Sequence, residues 1–201
     1  MKRVVQTESG KMSLETVILG NQQAIKQCLA LLDRLTTEQY SRVSQPYAQS
    51  SIGQHIRHVL DVYHALLAAI DNEDHALADY DQRRRGAAVE TNRVIAQQEF
   101  AQIERALIAL AGNTGPTALT IRTEVCLDAS RSVTLPSSLV RELVFTASHA
   151  VHHFALIAML ARLQGVDVDP HLGVAPATAS FLRQEGTTAI STQPKARSAR
   201  A

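Results

Sequence analysis

The chain has 201 residues, enough for one domain with a sizeable core and modest tails but cramped for two. Hydrophobic residues make up 45% and aromatics 4%, with no Trp, so the core must be built from Leu, Ile, Val and Ala, which favours packed helices. A formal net charge of +1 gives no field to hold phosphate backbones or anionic lipid, and Cys28 and Cys126 match neither a disulfide framework nor a thiolate metal site.

The N-terminus, with Lys2, Arg3, Gln6, Glu8 and Lys11, lacks an apolar leader, and no uninterrupted stretch approaches a membrane span. The expectation is a soluble, cytoplasmic protein with a small-molecule substrate and neither nucleic acid nor membrane as partner; the assembly considered is a homodimer.

Residues 1–11 carry no period and read as a flexible arm. Ser13 then stands as an N-cap, and Leu14, Val17, Ile18, Ile25, Cys28, Leu32 and Leu35 recur at helical spacing as a first helix, with Cys28 serving as a small hydrophobe. Thr36 to Gln49 is polar and turn-like. Ser50 or Ser51 caps a second helix whose buried face comprises Ile52, Ile56, Val59, Leu60, Tyr63, Leu66, Leu67 and Ile70 and which continues to about Asp71.

His55 and His58 lie near the start of that helix. Val62 and Ala65 flank His58 with small side chains, whereas His55 falls about 60° round, nearer the middle of the apolar arc. Geometry alone leaves the choice between them open. His64, His75 and His171 read as solvated surface residues.

From Asn72 to Glu90 no apolar period is visible, which predicts a long connection across one end of the fold. It contains Arg83, Arg84 and Arg85, a cluster able to clamp the carboxylates of a cofactor or substrate, though a charge run is more often simply solvated. Thr91 or Asn92 opens a third helix with Val94, Ile95, Phe100, Ile103, Leu107 and Leu110 inside and Gly112 near its end. Alternation at Leu119, Ile121, Thr123, Val125 and Leu127, with Val133 to Leu135 beyond, predicts a small β-hairpin. Pro136 and the serines after it open a fourth helix that stops at Gly165. Phe181 and Leu182 read as an apolar anchor, and residues 184–201 as a disordered tail.

The fourth helix carries His149, His152 and His153. His149 and His153 are one turn apart on one face, so the pair can offer two nitrogens to one metal ion, with Glu142 on the same side. His152 falls about 60° to the other side of His149 and suits an outer role. A lone pair of this kind is more often two core histidines; a third imidazole from the second helix would change that balance. Three neutral imidazoles with open positions suit zinc, nickel or iron rather than calcium or magnesium.

Four amphipathic helices with a long connection between the second and third predict an all-α four-helix bundle over residues 12–183. At Ser51-Ile-Gly-Gln-His55-Ile-Arg-His58-Val-Leu-Asp61 and His149-Ala-Val-His-His153 the chain resembles the DinB/YfiT-like superfamily of four-helix-bundle metalloenzymes. The resemblance implies that His58, His149 and His153 are the metal ligands, and that a low-molecular-weight thiol is a candidate cofactor, as some relatives are thiol-dependent transferases or isomerases. The reading is a metal-dependent transferase or hydrolase in which the ion activates water or a thiol. His55 and Glu142 are candidates for proton handling, and Arg83, Arg84 and Arg85 for cofactor binding. The competing reading is a non-catalytic binding or oligomerisation module with core histidines.

Overall fold

The computed structural model describes residues 8–72, 76–112 and 118–191. In chain order the elements are α1 (Glu8–Arg34), α2 (Thr37–Ser41), α3 (Ile52–Asp71), β1 (Leu77–Asp79), a 3-10 turn (Ala88–Glu90), α4 (Arg93–Leu110), β2 (Ala118–Glu124), β3 (Ser132–Ser138), α5 (Leu139–Leu163) and α6 (Pro176–Ser191). The fold is mostly helical with one small mixed sheet.

The long helices form because apolar residues repeat on one face and polar caps stop the chain at their ends. Ser51 starts α3 with a reciprocal capping box: its Oγ accepts from the Gln54 N–H, and its own N–H donates to Gln54 Oε1. Asn92 caps α4 and Ser138 caps α5. Gly165 follows α5 at φ +75°, a left-handed conformation that favours glycine.

Both α1 and α3 pack against α4 and α5. Ile25, Leu32, Ile56, Leu60, Phe100, Leu107, Phe154 and Ile157 are fully buried between them. Cys28 lies in the same core, and burial pushes its thiol pKa up, as suits an inert small hydrophobe. One polar knot interrupts this core. The buried Asn21 amide donates to the Leu143 carbonyl at 3.1 Å, and its oxygen accepts from the Tyr63 hydroxyl at 2.7 Å. Satisfied in this way, the knot fixes α1, α3 and α5 in one register.

Several elements differ from the sequence reading. Helix α1 begins at Glu8, inside the segment expected to be a flexible arm. The polar stretch after it contains α2, capped by Thr36 with a capping box to Gln39, and Tyr40 of α2 is buried. The all-α expectation holds roughly, and the expected hairpin is enlarged to a three-stranded sheet, because β1, within the long connection, pairs in parallel with β2. The hairpin forms with Ile121 opposite Leu135 and Thr123 opposite Val133. Pro136 does not open a helix; it lies in β3 opposite Thr120, on an edge strand where a missing N–H is tolerated.

Helix α6 continues past Gln184 to Ser191, where a disordered tail was expected, and Phe181 and Leu182 are exposed rather than an anchor. His75 and residues 192–201 lie outside the described residues. Among the described residues one helix, α5, is long and apolar enough by length and composition to cross a membrane, contrary to the sequence reading. Here it packs against α1 and α3 and carries the histidines.

Two glycines permit close approaches that shape the site. A Cβ on Gly53 would meet the Glu90 carbonyl oxygen at 2.0 Å, so only glycine lets the 3-10 turn lie on the first turn of α3. Gly173, at φ +77°, presses against the α5 backbone at Ala155.

Candidate metal centre

Four imidazoles meet where the start of α3 faces the middle of α5. His58, His149 and His153 each present one ring nitrogen, and the three nitrogens lie within 4.8 Å of one another. Nε2 of His149 is 3.0 Å from Nε2 of His58. Around a divalent ion, bonds of about 2.0–2.1 Å place tetrahedral nitrogen ligands about 3.3 Å apart, so this separation suits a shared ion. His55 approaches from behind, with its Nδ1 3.1 Å from Nδ1 of His153. Phe145 stacks on His149 with ring centroids 5.7 Å apart.

The electrostatics keep these rings neutral. Burial, then Arg83 and His149, lower the pKa of His58 to about 3. Burial, then the neighbouring imidazoles, lower that of His153 to about 3 as well. His149 and His55 are lowered for the same first reason. A neutral imidazole keeps a lone pair, which is the form a metal requires. Nδ1 of His58 is buried with no hydrogen-bond partner among the described residues, so the contact of its Nε2 with His149 is what bears on its tautomer. Neutral, convergent and nitrogen-rich, the donor set is compatible with a divalent transition metal.

The other candidates separate. Glu142 is fully buried, but its carboxylate accepts from the Tyr80 hydroxyl at 2.7 Å, from Arg141 Nη1 at 2.8 Å and from the Ser137 hydroxyl. These contacts tie α5 to β3 and to the long connection, and the structure does not bring Glu142 together with the imidazoles. His152 is exposed, with its ring edge toward His153. His171 is exposed, whereas His64, expected in solvent, is half-buried with Nε2 2.8 Å from Glu99 Oε2.

A cavity of about 460 Å3 opens beside the imidazoles, lined by Gln54, His55, His58, His153, Arg83 and Arg85 among others. Arg84 is committed elsewhere. Its Nε donates to Asp61 Oδ1 at 2.6 Å, its backbone N–H to Asp61 Oδ2 at 3.1 Å, and its Nη atoms to both oxygens of Glu99. The three arginines therefore divide into two at the cavity and one anchor.

Sequence reasoning passed over Arg57, Asp61 and Glu90. Arg57, also on the cavity wall, donates to Asp61 at 3.1 Å and to Glu90 at 2.9 Å. The four-residue spacing of Arg57 and Asp61 on a helix was the available signal.

Over 190 residues the chain is 27% identical to a protein named FK506-binding protein 5 from Rhizopus delemar, an alignment that takes in 81% of this chain. It covers 49% of that protein, so the chain spans about half the relative's length. The family model described as the DinB superfamily matches residues 21–157, a span that contains all four imidazoles of the site. The chain belongs to the DinB superfamily.

Proposed function

We propose that this protein is a metal-dependent enzyme, a transferase or hydrolase, whose α1, α3, α4 and α5 form a four-helix bundle around a divalent-metal site held by His58, His149 and His153. The observation that carries this reading is the convergence of three neutral imidazole nitrogens at the edge of a cavity. Hydrogen bonding between His58 and His149 uses one nitrogen of each ring and leaves Nδ1 of His58 buried without a partner among the described residues, so the protein's own groups do not fully satisfy the cluster. When bound, a zinc, nickel or iron ion would lower the pKa of water or of a low-molecular-weight thiol toward neutrality and so supply a nucleophile.

The chain's own groups do the rest. His55 hydrogen-bonds Nδ1 of His153, orienting that ring and leaving Nε2 as the nitrogen we assign to the metal. His55 also lines the cavity and can hold or pass a proton there. Phe145 walls one face of His149. Arg83 and Arg85 are placed to orient a substrate or thiol in the cavity.

Metal analysis of protein purified without chelators tests the reading. Near-stoichiometric metal that disappears in His149→Ala and His153→Ala supports it. Native protein that is metal-free and takes up no zinc, nickel or iron on titration sinks it in favour of a non-catalytic helical module.

A further inference from the structure

The cavity wall carries more positive charge than its own acids offset. Glu90 is the one acid lining the cavity among the described residues, and it accepts from Arg57, whose other partner is Asp61. Arg83 is half-buried; among the described residues its guanidinium donates to the Tyr80 carbonyl, while Asp61 and Asp81 act on it without a hydrogen bond. Arg85 lines the same cavity with no hydrogen bond or ion pair from the described residues. Partial burial of a guanidinium that hydrogen-bonds no acid costs free energy that a bound anion would recover.

The loop divides the three arginines. Arg84 is drawn to Asp61 and Glu99, and Arg85 lies in a turn closed by the Ala87 N–H on the Arg84 carbonyl at 3.0 Å. Arg83 and Arg85 both line the cavity. His58 and His153 line that cavity too, so an acid held by Arg83 and Arg85 would present its far end to the imidazoles.

Resting on the metal-enzyme reading for its chemistry but not for its binding, we infer that Arg83 and Arg85 form a carboxylate site and that the substrate is a small-molecule acid whose reactive end faces His58 and His153. Guanidinium favours carboxylate because its planar fork can donate two parallel hydrogen bonds. The neutral imidazoles add no competing charge. Arg84 has no part in binding and acts only as the anchor.

The test uses the full-length chain, metal-free and zinc-loaded, titrated calorimetrically with succinate as the acid probe and succinamide as its uncharged counterpart. Succinate is expected to bind at least about tenfold more tightly than succinamide in both forms, since a hydrogen bond to a charged group contributes that much. Arg83→Gln and Arg85→Gln should each weaken succinate about tenfold. Arg105→Gln, an equal loss of charge on the exposed side of α4, should leave binding unchanged. Arg85 is exposed and without structural partners, so its variant will fold.

Equal affinities for succinate and succinamide, or succinate binding unaltered in both cavity variants, would overturn the site. Zinc content measured in parallel is expected to stay at the wild-type level. If zinc were lost together with succinate binding, Arg83 and Arg85 would be acting through the imidazoles, and an independent carboxylate site would be refuted. Failure of zinc binding in the wild type with succinate binding intact would refute the metal reading alone.

Discussion

Nε2 of His149 and Nε2 of His58 lie 3.0 Å apart although 91 positions separate the two residues in the chain. Two neutral imidazoles at this distance share one proton, and a third ring, His153, points a nitrogen into the same space. The contact is therefore a docking point between α3 and α5 as well as a candidate ligand pair.

Removing one of these rings should abolish tight metal retention, whereas removing the ring behind them should only weaken it. His55 touches Nδ1 of His153 and orients it, and loss of such an outer partner costs about 10–100-fold in metal affinity. Zinc titration against a competing chelator should give that range for His55→Leu and a larger loss for His149→Ala. Equal losses in the two variants would mean that His55 binds the ion directly.

Acid should destabilise the metal-free protein through the same rings. His58 and His153 have pKa values lowered from 6.5 to about 3, so the unfolded chain takes up protons as pH falls through 6.5 while the folded protein does so only near 3. Stability contributed by these groups is fully present above 6.5 and declines between 6.5 and about 3. Denaturant unfolding of chelator-treated protein at about pH 7 and about pH 5 should show this decline, and His58→Asn should make it shallower. An unchanged slope in the variant would contradict the assignment.

Glu142 gives the opposite kind of prediction. Tyr80→Phe removes one of the three donors to its buried carboxylate, which should cost about 1–3 kcal/mol of stability. Metal content should not change, since Glu142 is tied to β3 and the long connection. Metal loss in Tyr80→Phe without unfolding would restore Glu142 to the site.

Asp61 should be the most sensitive acid in the loop's support. Its buried carboxylate pairs with both Arg57 and Arg84, and breaking a buried pair by removing one partner costs on the order of 3 kcal/mol. Asp61→Asn should show that loss in denaturant unfolding. Arg84→Ala should cost less, because the Arg84 side chain is 43% exposed.

The sequence made the long helices legible because their apolar faces repeat over many turns, and it made the hairpin legible because Ile121 and Leu135 alternate with polar neighbours. Short elements left no such trace. Strand β1 spans three residues, Leu77–Asp79, and α2 five, too few for a period to emerge; both depend on partners distant in sequence, β2 for one and the buried surround of Tyr40 for the other. Helix α6 was missed for a different reason, since its Thr- and Gly-containing stretch after Gln184 has no apolar stripe and Phe181 and Leu182 remain exposed.

At the site, one-turn spacing identified the His149 and His153 pair, while the approach of His58 and of His55 depends on how α3 meets α5. Glu142 shows the limit of helical-wheel reasoning. It shares a side of the helix with His149, yet it lies about two turns away along the axis, where other donors claim it.

The grip of Asp61 on the Arg84 backbone has a consequence for how this protein could be re-targeted. Because one carboxylate sets the path of the loop, the side chains at 83 and 85 can be exchanged while the anchor and the imidazoles stay in place, the charge at 83 alone being felt by His58 and His149. A sibling chain could thus keep its ion and its scaffold while changing which molecules it accepts, by drift at two positions. Loss of Asp61 would do the reverse, leaving the imidazoles in place beneath a loop with no fixed aim. Among chains that share these histidines, the residues at 83 and 85 would then sort by ligand, and the acid at 61 by whether a shaped pocket is kept at all.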